Sequence, residues 1–496
     1  MGFDFFAGKE LEEDQENFRD SINSIKDDGK RNWVFAKKPK GRFTDRRSLV
    51  AFILLLIFFA GPFISINGQP ILMLNVLERK FIIFGMAFWP TDFHLLALGA
   101  LTLVIFIVLF TAVFGRVFCG WACPQTIFME HVFRRIEYWI EGDRGAQLRL
   151  NKQDWNREKI LKKGFKQVIF FSVSFLIANL FLSYIIGYKE LFNIITDPPA
   201  EHLVGLTAIT IFSFVFYLVF SRFREQVCHF ACPYGRLQSV MIDEDSLNCS
   251  YDFIRGEDRA NSKTRIKAAK KNNYDIDIKE LAKGARFDSY GDCIDCEECV
   301  RVCPMGIDIR NGIQMECTQC TACIDACDNV MDKIDKPRGL IRYESLNGIE
   351  GGKKFGFTPR VAGYSTILVL LLGIFGTLLF TRPDTETIIL RTPGVLQTQL
   401  DDGRFSNFYD YKLLNKTFET LPFQIKALYP EGAEVRLVGE KSSVNPQDIV
   451  EGRLIVFLPA DVMTGNSTQV TFGIFSNGEQ LETLESNFIG PDNVKK

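Results

Sequence analysis

The chain has 496 residues, a net charge of −2 and 47% hydrophobic residues. A chain of this length is too long to fold around a single soluble core, so the sequence predicts two or more domains. The balanced charge gives no argument for nucleic-acid binding, and we predict no nucleic-acid partner.

A polar segment, residues 1–47, opens the sequence. It carries 11 Lys or Arg residues and lacks the apolar run of a signal peptide. We therefore expect no signal peptide at this end and predict a cytoplasmic N-terminal segment.

Four apolar runs of membrane-spanning length follow, and a fifth comes after a cysteine-rich region. The five runs cover residues 49–66, 93–114, 168–188, 203–220 and 361–380. Roughly 20 apolar residues in a helix cross the hydrocarbon core of a bilayer. The sequence thus predicts an α-helical bundle, with four spans in residues 48–235 and the fifth in residues 361–382. The apolar run 71–89 contains charges, and we expect an interfacial or re-entrant segment there.

The distribution of basic residues predicts how these spans are oriented. Loop 115–164 carries 10 Lys or Arg residues, against two in loop 67–92 and one in loop 188–201. Lys and Arg are enriched in cytoplasmic loops. We therefore expect the N-terminus and the cysteine-rich region in the cytoplasm, and an odd number of spans then places the C-terminal region outside.

Two further cysteine pairs lie just after apolar runs. "FCGWACP" contains Cys119 and Cys123, and "CHFACPYG" contains Cys228 and Cys232, each pair followed by proline. If these stretches are helical, cysteines four apart share one face, and all four thiols can converge. Soft thiolates favour Cu(I), but four of them can equally hold a third iron–sulfur cluster. A redox-active dithiol and inert buried cysteine are the remaining interpretations.

Eight of the 13 cysteines lie within one 35-residue window. The spacing x2, x2, x3 occurs twice, first in Cys293, Cys296, Cys299 and Cys303 and then in Cys317, Cys320, Cys323 and Cys327. This duplicated spacing is typical of ferredoxins with two [4Fe–4S] clusters, in which the fourth cysteine of each run binds the other cluster. We therefore expect one cluster on Cys293, Cys296, Cys299 and Cys327, and the other on Cys317, Cys320, Cys323 and Cys303.

Residues 236–360 are accordingly predicted to form a cytoplasmic two-cluster, ferredoxin-like α+β domain. Zinc is the alternative occupant, since cysteine pairs also bind zinc, but the duplicated spacing disfavours it. We expect the fourth cysteine of each run to begin a helix. The sequence has no Walker motif and no dinucleotide-binding fingerprint, so the electron donor is expected to be a separate, unidentified species.

The histidines and one unmatched cysteine give weaker signals. A metal or haem ligand role is open for each of His94, His131, His202 and His229, although a surface or core histidine is the more common case. Cys249 has no spacing partner and is assigned no role.

The C-terminal region, residues 383–496, contains no cysteine. Segments such as "RLIVFLPA" and "STQVTFGIFS" are rich in β-branched and aromatic residues and are separated by turn residues. They predict an all-β, immunoglobulin-like sandwich. We see no catalytic constellation there and expect a scaffold or partner-docking module.

Taken in order, the two CxxxCP pairs, "CIDCEECVRVCPMGIDIRNGIQMECTQCTACIDACD" and "KPRGLIRY" resemble the accessory proteins of cbb3-type cytochrome c oxidase known as CcoG, FixG and RdxA. The resemblance runs from about residue 35 to the β-rich tail. It implies a multi-pass protein of the bacterial inner membrane with a periplasmic C-terminal domain. Related membrane polyferredoxins of nitrate and nitrous-oxide respiration share the CxxxCP pairs.

The resemblance further implies reduction of Cu(II) to Cu(I) for the oxidase's copper centre, with the oxidase or its copper-delivery factors as partners. Cys119, Cys123, Cys228 and Cys232 would then bind or reduce copper, and the eight ferredoxin-type cysteines would deliver electrons. Two alternatives stay open: a general electron conduit between a quinol or cytoplasmic donor and a respiratory partner, and a non-enzymatic metal chaperone or assembly scaffold.

Overall fold

The computed structural model describes residues 31–490 except 67–68, 76–79, 84, 272–289, 354–355, 395–397, 401–402, 440–441 and 464. Residues 1–30 of the predicted N-terminal segment therefore lie outside the described part. The chain divides into two compact units. The first contains Met1–Ile64 and Ala97–Gly373, and the second contains Ser65–Leu96 and Ile374–Lys496.

The α-helices of the described residues, in chain order, are α1 (Arg42–Ala60), α2 (Phe93–Phe114), α3 (Val117–Trp121), α4 (Pro124–Ile127), α5 (Arg134–Ile140), α6 (Arg144–Lys152), α7 (Arg157–Ile186), α8 (Tyr188–Thr196), α9 (Leu203–Leu218), α10 (Pro233–Met241), α11 (Phe253–Gly256), α12 (Ser262–Lys271), α13 (Glu298–Val302), α14 (Ala322–Lys333), α15 (Leu346–Gly351) and α16 (Pro359–Phe380). Three π-helical segments, Phe128–Phe133, Val219–Phe223 and Val227–Ala231, interrupt this series.

The predicted number of membrane spans is confirmed. Within the described residues, five helical segments are long and apolar enough to cross a membrane: Arg42–Phe63, Pro90–Phe114, Arg157–Ile186, Leu203–Phe223 and Pro359–Phe380. Their apolar composition explains why they are helical, since a helix satisfies all of its own backbone hydrogen bonds in hydrocarbon.

Aromatic rings fill the core of the first unit beside α7 and α9. Phe133 and Phe220 stack with ring centroids 4.7 Å apart, and Phe170 meets Phe133 edge-on at 4.9 Å. Phe133 and Phe220 both come from π-helical segments. Such ring pairs each add about 0.5–1.5 kcal/mol beyond the area they bury, so they hold these segments against α7.

A buried ion cluster lies near this aromatic core. Glu137 of α5 accepts from Arg224 at 2.9 Å and from Lys166 at 3.4 Å. Lys166 also pairs with Glu141 at 2.8 Å. All four side chains are buried. Charges at such depth are tolerated because they are paired. The pairs link α5 and α7 to Arg224, which follows the π-helical segment Val219–Phe223.

Residues 33–44, here called the N-terminal strap, include the first turn of α1 and lie across the cysteine-rich region. The Lys37 amide donates to the Arg301 carbonyl at 2.8 Å, and the Lys37 ammonium pairs with Glu298 at 2.6 Å. The amides of Phe43 and Thr44 donate to the Asp325 carboxylate at 3.1 and 2.7 Å. Since the first amides of a helix have no partner within the helix, Asp325 of α14 caps α1.

The cysteine-rich region has mixed α and β structure, as predicted. Strand β6 (Asn248–Tyr251) pairs antiparallel with β7 (Ile341–Glu344). The expected helix position was wrong, because the third cysteine of each run, Cys299 or Cys323, lies in the first turn of α13 or α14. Cys303 follows the end of α13, where Pro304 prevents continuation. Asp328 replaces that proline after Cys327, and α14 continues to Lys333.

The C-terminal region forms the predicted β sandwich. Its strands are β8 (Thr385–Arg391), β9 (Thr398–Gln399), β10 (Phe405–Asn415), β11 (Leu421–Pro422), β12 (Gln424–Tyr429), β13 (Glu434–Val438), β14 (Ser443–Val444), β15 (Ile449–Leu458), β16 (Ser467–Ser476) and β17 (Glu479–Ile489). One sheet has the order β13-β15-β10-β8 with β9 beside β10, and another has the order β12-β16-β17. Tyr409 of the first sheet meets Phe472 of the second, with centroids 5.6 Å apart.

The apolar run 71–89 is an antiparallel β-meander in the second unit. Two short strands, β1 (Ser65–Ile66) and β2 (Gln69–Pro70), precede its strands β3 (Leu72–Asn75), β4 (Lys80–Ile83) and β5 (Met86–Phe88). Just beyond β5, buried Asp92 pairs with Arg382 and Lys416, each at 2.8 Å. These ion pairs fix the segment to Arg382, which precedes β8, and to Lys416, which follows β10.

Candidate metal centres

Four of the predicted ligands line one cavity, here called cavity A. Its cysteines are Cys293, Cys296, Cys299 and Cys327. Apolar side chains such as Met331 and Ile341 complete the wall. The sequence predicts this same set for one cluster. Cys327 belongs to the second run of cysteines, and it lies beside the first run because α14 packs against α13.

The other four predicted ligands line a second cavity, here called cavity B. Its walls include Cys303, Cys317, Cys320 and Cys323. Cys299 contributes to the walls of both cavities. The two sites therefore adjoin, as electron transfer between two clusters requires.

The spacing of these thiols fits a multi-iron group better than a single ion. Among the described residues, the one group of three ligand atoms within 4.8 Å is Asp197, Glu201 and His202, which contains no cysteine. A tetrahedral zinc with bonds of about 2.3 Å needs sulfurs closer together than that limit. Burial raises the pKa of Cys317 and Cys327, so their ligand form depends on a bound cationic centre.

Neither CxxxCP stretch is a continuous helix, and in both the backbone is extended at the second cysteine. Cys119 lies in α3, and Cys123 is the extended residue before α4. Cys228 lies in the π-helical segment Val227–Ala231, and Cys232 is the extended residue before α10. In each motif the proline begins the next helix, a position where its missing N–H costs nothing. The helix therefore breaks between the two cysteines.

The four thiols of these motifs, here called the CxxxCP thiols, are neighbours. Burial, with smaller contributions from Cys123, Cys232 and Cys119, raises the pKa of Cys228 to about 12. Burial likewise raises the pKa of Cys119 to about 11, with smaller contributions from Cys123 and Cys232. The breaks in the two motifs thus bring together cysteines that are about a hundred positions apart.

Polar side chains not singled out in the sequence surround the CxxxCP thiols. The Cys119 thiol lies 3.0 Å from Gln238 Oε1. The buried Arg116 guanidinium opposes the rise in the pKa of Cys119 and donates to the Met315 carbonyl. A positive group at this position favours anionic thiolates. Arg116 lies three residues before Cys119, but a basic residue next to an apolar run usually marks the membrane boundary, so no signal distinguishes it.

Gly120 brings the first CxxxCP motif into direct contact with a loop of cavity B. A Cβ atom at Gly120 would lie 3.0 Å from the amide nitrogen and Cα of Cys320, and closer still to the Thr318 carbonyl. The Gly120 carbonyl accepts from buried Arg47 of α1 at 2.7 Å. At Gly120 the backbone of the motif therefore lies directly against the backbone of the cysteine loop, with no side chain between them.

Among the described residues, the one group of three close potential metal ligands contains a single histidine, His202. His131 and His229 lie in different π-helical segments, and His94 lies in the first turn of α2. Burial, with smaller contributions from Arg47 and Arg135, lowers the pKa of His131 to about 3. His202 lies 3.1 Å from Asp197. His131 is thus neutral at physiological pH, and burial lowers the pKa of His229 as well.

Three known families match different parts of the chain. A "4Fe-4S dicluster domain" matches residues 223–346, and a "4Fe-4S binding domain" matches residues 96–147 and 202–243. A family described as an immunoglobulin-like fold at the C-terminus of FixG matches residues 375–491. The chain is therefore an iron–sulfur protein, and the second match covers both CxxxCP motifs.

Full-length relatives carry the same combination of parts. The chain is 34% identical to protein RdxA of Cereibacter sphaeroides over 79% of its own length and 81% of the relative's. It is 33% identical to RdxB of the same organism over 84% of its own length and 86% of RdxB. It is 31% identical to the nitrogen fixation protein FixG of Rhizobium meliloti over 87% of both chains. With this identity across most of its length, the chain belongs to the FixG/RdxA family of membrane iron–sulfur proteins.

Proposed function

We propose that the chain is a cupric reductase that passes single electrons to the CxxxCP thiols, where Cu(II) becomes Cu(I) for the copper centre of a cbb3-type oxidase. The contact at Gly120 is the observation that carries this proposal. It places the turn with Cys119 directly against the loop with Cys320. A route from the ferredoxin-type region to the CxxxCP thiols is therefore short.

In this proposal, cavity A and cavity B each hold one [4Fe–4S] cluster on their four cysteines. Such a cluster, when bound, supplies a one-electron carrier. The chain's own contribution is burial, because the apolar walls of both cavities exclude water from the thiolates. Cys299, which borders both cavities, keeps the two sites adjacent.

Copper is the substrate in this scheme. One electron reduces Cu(II) to Cu(I), and soft thiolates stabilise the Cu(I) product. Arg116, beside Cys119, favours the thiolate form that binds it. The product would then pass to the oxidase or to a copper-delivery factor. The electron must come from a separate donor that the chain does not itself contain.

The proposal includes a location in the bacterial inner membrane. The N-terminus, both cavities and the CxxxCP thiols lie in the cytoplasm, and the β sandwich lies in the periplasm. The uneven distribution of Lys and Arg between the loops supports this orientation.

A second candidate function is a general electron conduit with a third cluster on the CxxxCP thiols. Two observations favour it. The match to a 4Fe-4S binding domain includes both CxxxCP motifs, and no three of the four thiols lie within 4.8 Å of one another in the described residues. That separation suits a multi-iron group.

Copper reduction by purified protein tests the first candidate. The protein is reduced anaerobically, freed of excess reductant and mixed with Cu(II), and Cu(I) is followed with a colorimetric chelator. We expect reduction by the wild type and loss of most of that activity when Cys119, Cys123, Cys228 and Cys232 are all changed to serine. Undiminished reduction by that variant would remove these thiols from the mechanism.

Iron counting separates the two candidates. Two cubanes correspond to about eight iron atoms per chain and three to about twelve. The reductase with copper at the CxxxCP thiols predicts the lower count in both the wild type and the four-serine variant. A count near twelve that falls to about eight in the variant would favour the conduit.

A further inference from the structure

Strand β6 contributes side chains to both cavities. Its residues Cys249 and Tyr251 are two positions apart, so they project from the same face of the strand, while Ser250 projects from the other. Cys249 lines cavity B, and Tyr251 lines cavity A. Pairing with β7 fixes this register, with Cys249 opposite Tyr343 and Tyr251 opposite Ile341.

The Cys249 thiol is in hydrogen-bonding contact with a predicted ligand of cavity B. Its Sγ lies 3.4 Å from the Sγ of Cys323, and its residue is only 2% exposed. If Cys323 is a metal-bound thiolate, it has no proton to donate, so Cys249 must be the donor of this S–H···S bond. Cys249 is therefore a fifth thiol at a site that needs four.

The Tyr251 hydroxyl occupies the corresponding position at cavity A. It is buried and meets strict hydrogen-bond geometry with none of the described residues. Buried hydroxyl groups almost always have a partner, and the Cys293 thiol is positioned to be this one. Burial raises the pKa of this phenol, and the adjacent Cys293 thiol adds to the effect. The hydroxyl packs against Gly256, where any side chain would displace it. The tyrosine is thus held with its hydroxyl beside a predicted ligand.

We propose that β6 supplies one hydrogen-bond donor to each cluster, Cys249 S–H to the Cys323 thiolate and Tyr251 O–H to the Cys293 thiolate, and so sets the two reduction potentials separately. The inference rests on the ligand sets of the proposed function. A donor to a ligand sulfur stabilises the more negative, reduced cluster, so it raises that cluster's potential. Cys249 and Tyr251 are positioning residues that act through the ligands.

The test uses the full-length protein in detergent and three single variants. Cys249→Ala and Tyr251→Phe each remove one donor with little change in shape, and Ser250→Ala is the matched control on the opposite face of the same strand. Iron content and EPR-monitored redox titrations are measured for each. We expect Cys249→Ala to move one cluster's midpoint potential to a more negative value, and Tyr251→Phe to move only the other. Ser250→Ala should move neither.

Cys249→Ser adds a rescue, because its hydroxyl restores a donor and should return the potential towards the wild-type value. Unchanged potentials in variants with full iron content would overturn the inference, as would equal shifts of both clusters. Loss of iron in Cys249→Ala or Tyr251→Phe would also overturn it, since the residue would then be a ligand or a purely structural contact. A wild-type protein that lacks two clusters would instead refute the ligand sets themselves.

Discussion

Gly120 is a residue whose function depends on the absence of a side chain. Its neighbours at the contact are backbone atoms of Thr318 and Cys320, which cannot rotate away as a side chain can. We therefore expect Gly120→Ala to push apart the CxxxCP turn and the cavity B loop. Forced overpacking of this kind typically costs about 1–3 kcal/mol.

Thermal unfolding in detergent and the rate of copper reduction measure this effect. Gly164→Ala in α7 is the matched control, because a Cβ there meets nothing within 4 Å and alanine favours the helix. Gly120→Ala should lower both the melting temperature and the rate, whereas Gly164→Ala should lower neither. Wild-type behaviour of Gly120→Ala would show that the contact is looser than the structure has it.

The residues at the metal centres differ in how far the sequence identifies them. The repeated spacing of eight cysteines predicts two sets of four, and the structure groups them in the same two sets around its cavities; their role as ligands stays a prediction. Cys249, Tyr251 and Arg116 belong to no spacing pattern. Cys249 and Tyr251 reach the thiols through strand pairing, of which a single sequence carries no direct signal. Arg116 is only three residues from Cys119, but it resembles an ordinary basic residue at a membrane boundary.

Among the elements, α1 depends on a cap supplied by a distant helix. Its own preceding residue, Gly41, has no side chain to bind the first amides, and Asp325 of α14 accepts from two of them instead. We expect Asp325→Ala to lower the free energy of unfolding by about 0.5–2 kcal/mol, the usual cost of losing a cap. Denaturant or thermal unfolding monitored by circular dichroism checks this.

Asp332→Ala is the control for this prediction. Asp332 lies on the same helix, and its exposed side chain pairs with exposed Arg338 at 2.7 Å. Since such surface pairs contribute little, this variant should unfold like the wild type. Equal effects of the two substitutions would point to helix propensity in α14 and not to capping of α1.

The ion cluster between α5 and α7 gives a second element-scale prediction. Burial alone would raise the pKa of Glu137, but Arg224 and Lys166 hold it below its ordinary value. Glu137→Gln removes a negative charge that two buried cations share, and we expect the free energy of unfolding to fall by about 3–5 kcal/mol. The melting temperature in detergent is the measurement. Glu158→Gln, at an exposed pair with Lys162, is the control and should change it little.

The pH dependence of this effect has a definite sign. A carboxylate whose pKa is depressed by folding stabilises the protein above its unfolded-state pKa of about 4.3 and loses that contribution as the pH falls through the folded-state value. The difference between wild type and Glu137→Gln should therefore stay constant from about pH 8 to pH 5. A difference that disappears near neutral pH would contradict the ionised state of Glu137.

Elements were predictable where one physical requirement dominates. The five spans must be apolar over a fixed length, and the prediction of their number is confirmed. The run 71–89 is equally apolar in places, but its strands are three or four residues long and pair only with their neighbours. Apolar composition alone does not distinguish such a meander from a segment at the membrane surface.

For the whole molecule, the predicted orientation can be tested with reporter fusions. Five spans and a cytoplasmic N-terminus would place residue 490 in the periplasm. Alkaline phosphatase, which is active only after export, should be active when fused there, whereas a fusion after residue 345 should be inactive. A fluorescent protein that folds only in the cytoplasm is the complementary reporter and should give the opposite pattern. Activity of the phosphatase at residue 345 would reverse the proposed orientation.

The grouping of the chain into two units was not predictable from the order of its segments. Residues 65–96 fall inside the predicted range 48–235, yet they cluster with the C-terminal unit. The reason is long-range pairing, since Asp92 is bound to Arg382 and Lys416. Charge pairs between residues about 300 positions apart leave no periodic signal in the sequence.

The N-terminal strap has a consequence for the order in which the molecule is made. Its contacts to Glu298 and Asp325 join residues 261 and 282 positions apart. At roughly 5–20 residues per second, the ribosome needs on the order of tens of seconds to produce those partners after the strap has emerged. Metal binding and folding of such cysteine-rich segments are coupled, so we expect α14 to fold fully only once its cluster is bound. We therefore expect the strap to be more sensitive to proteases in iron-starved cells than in iron-replete cells.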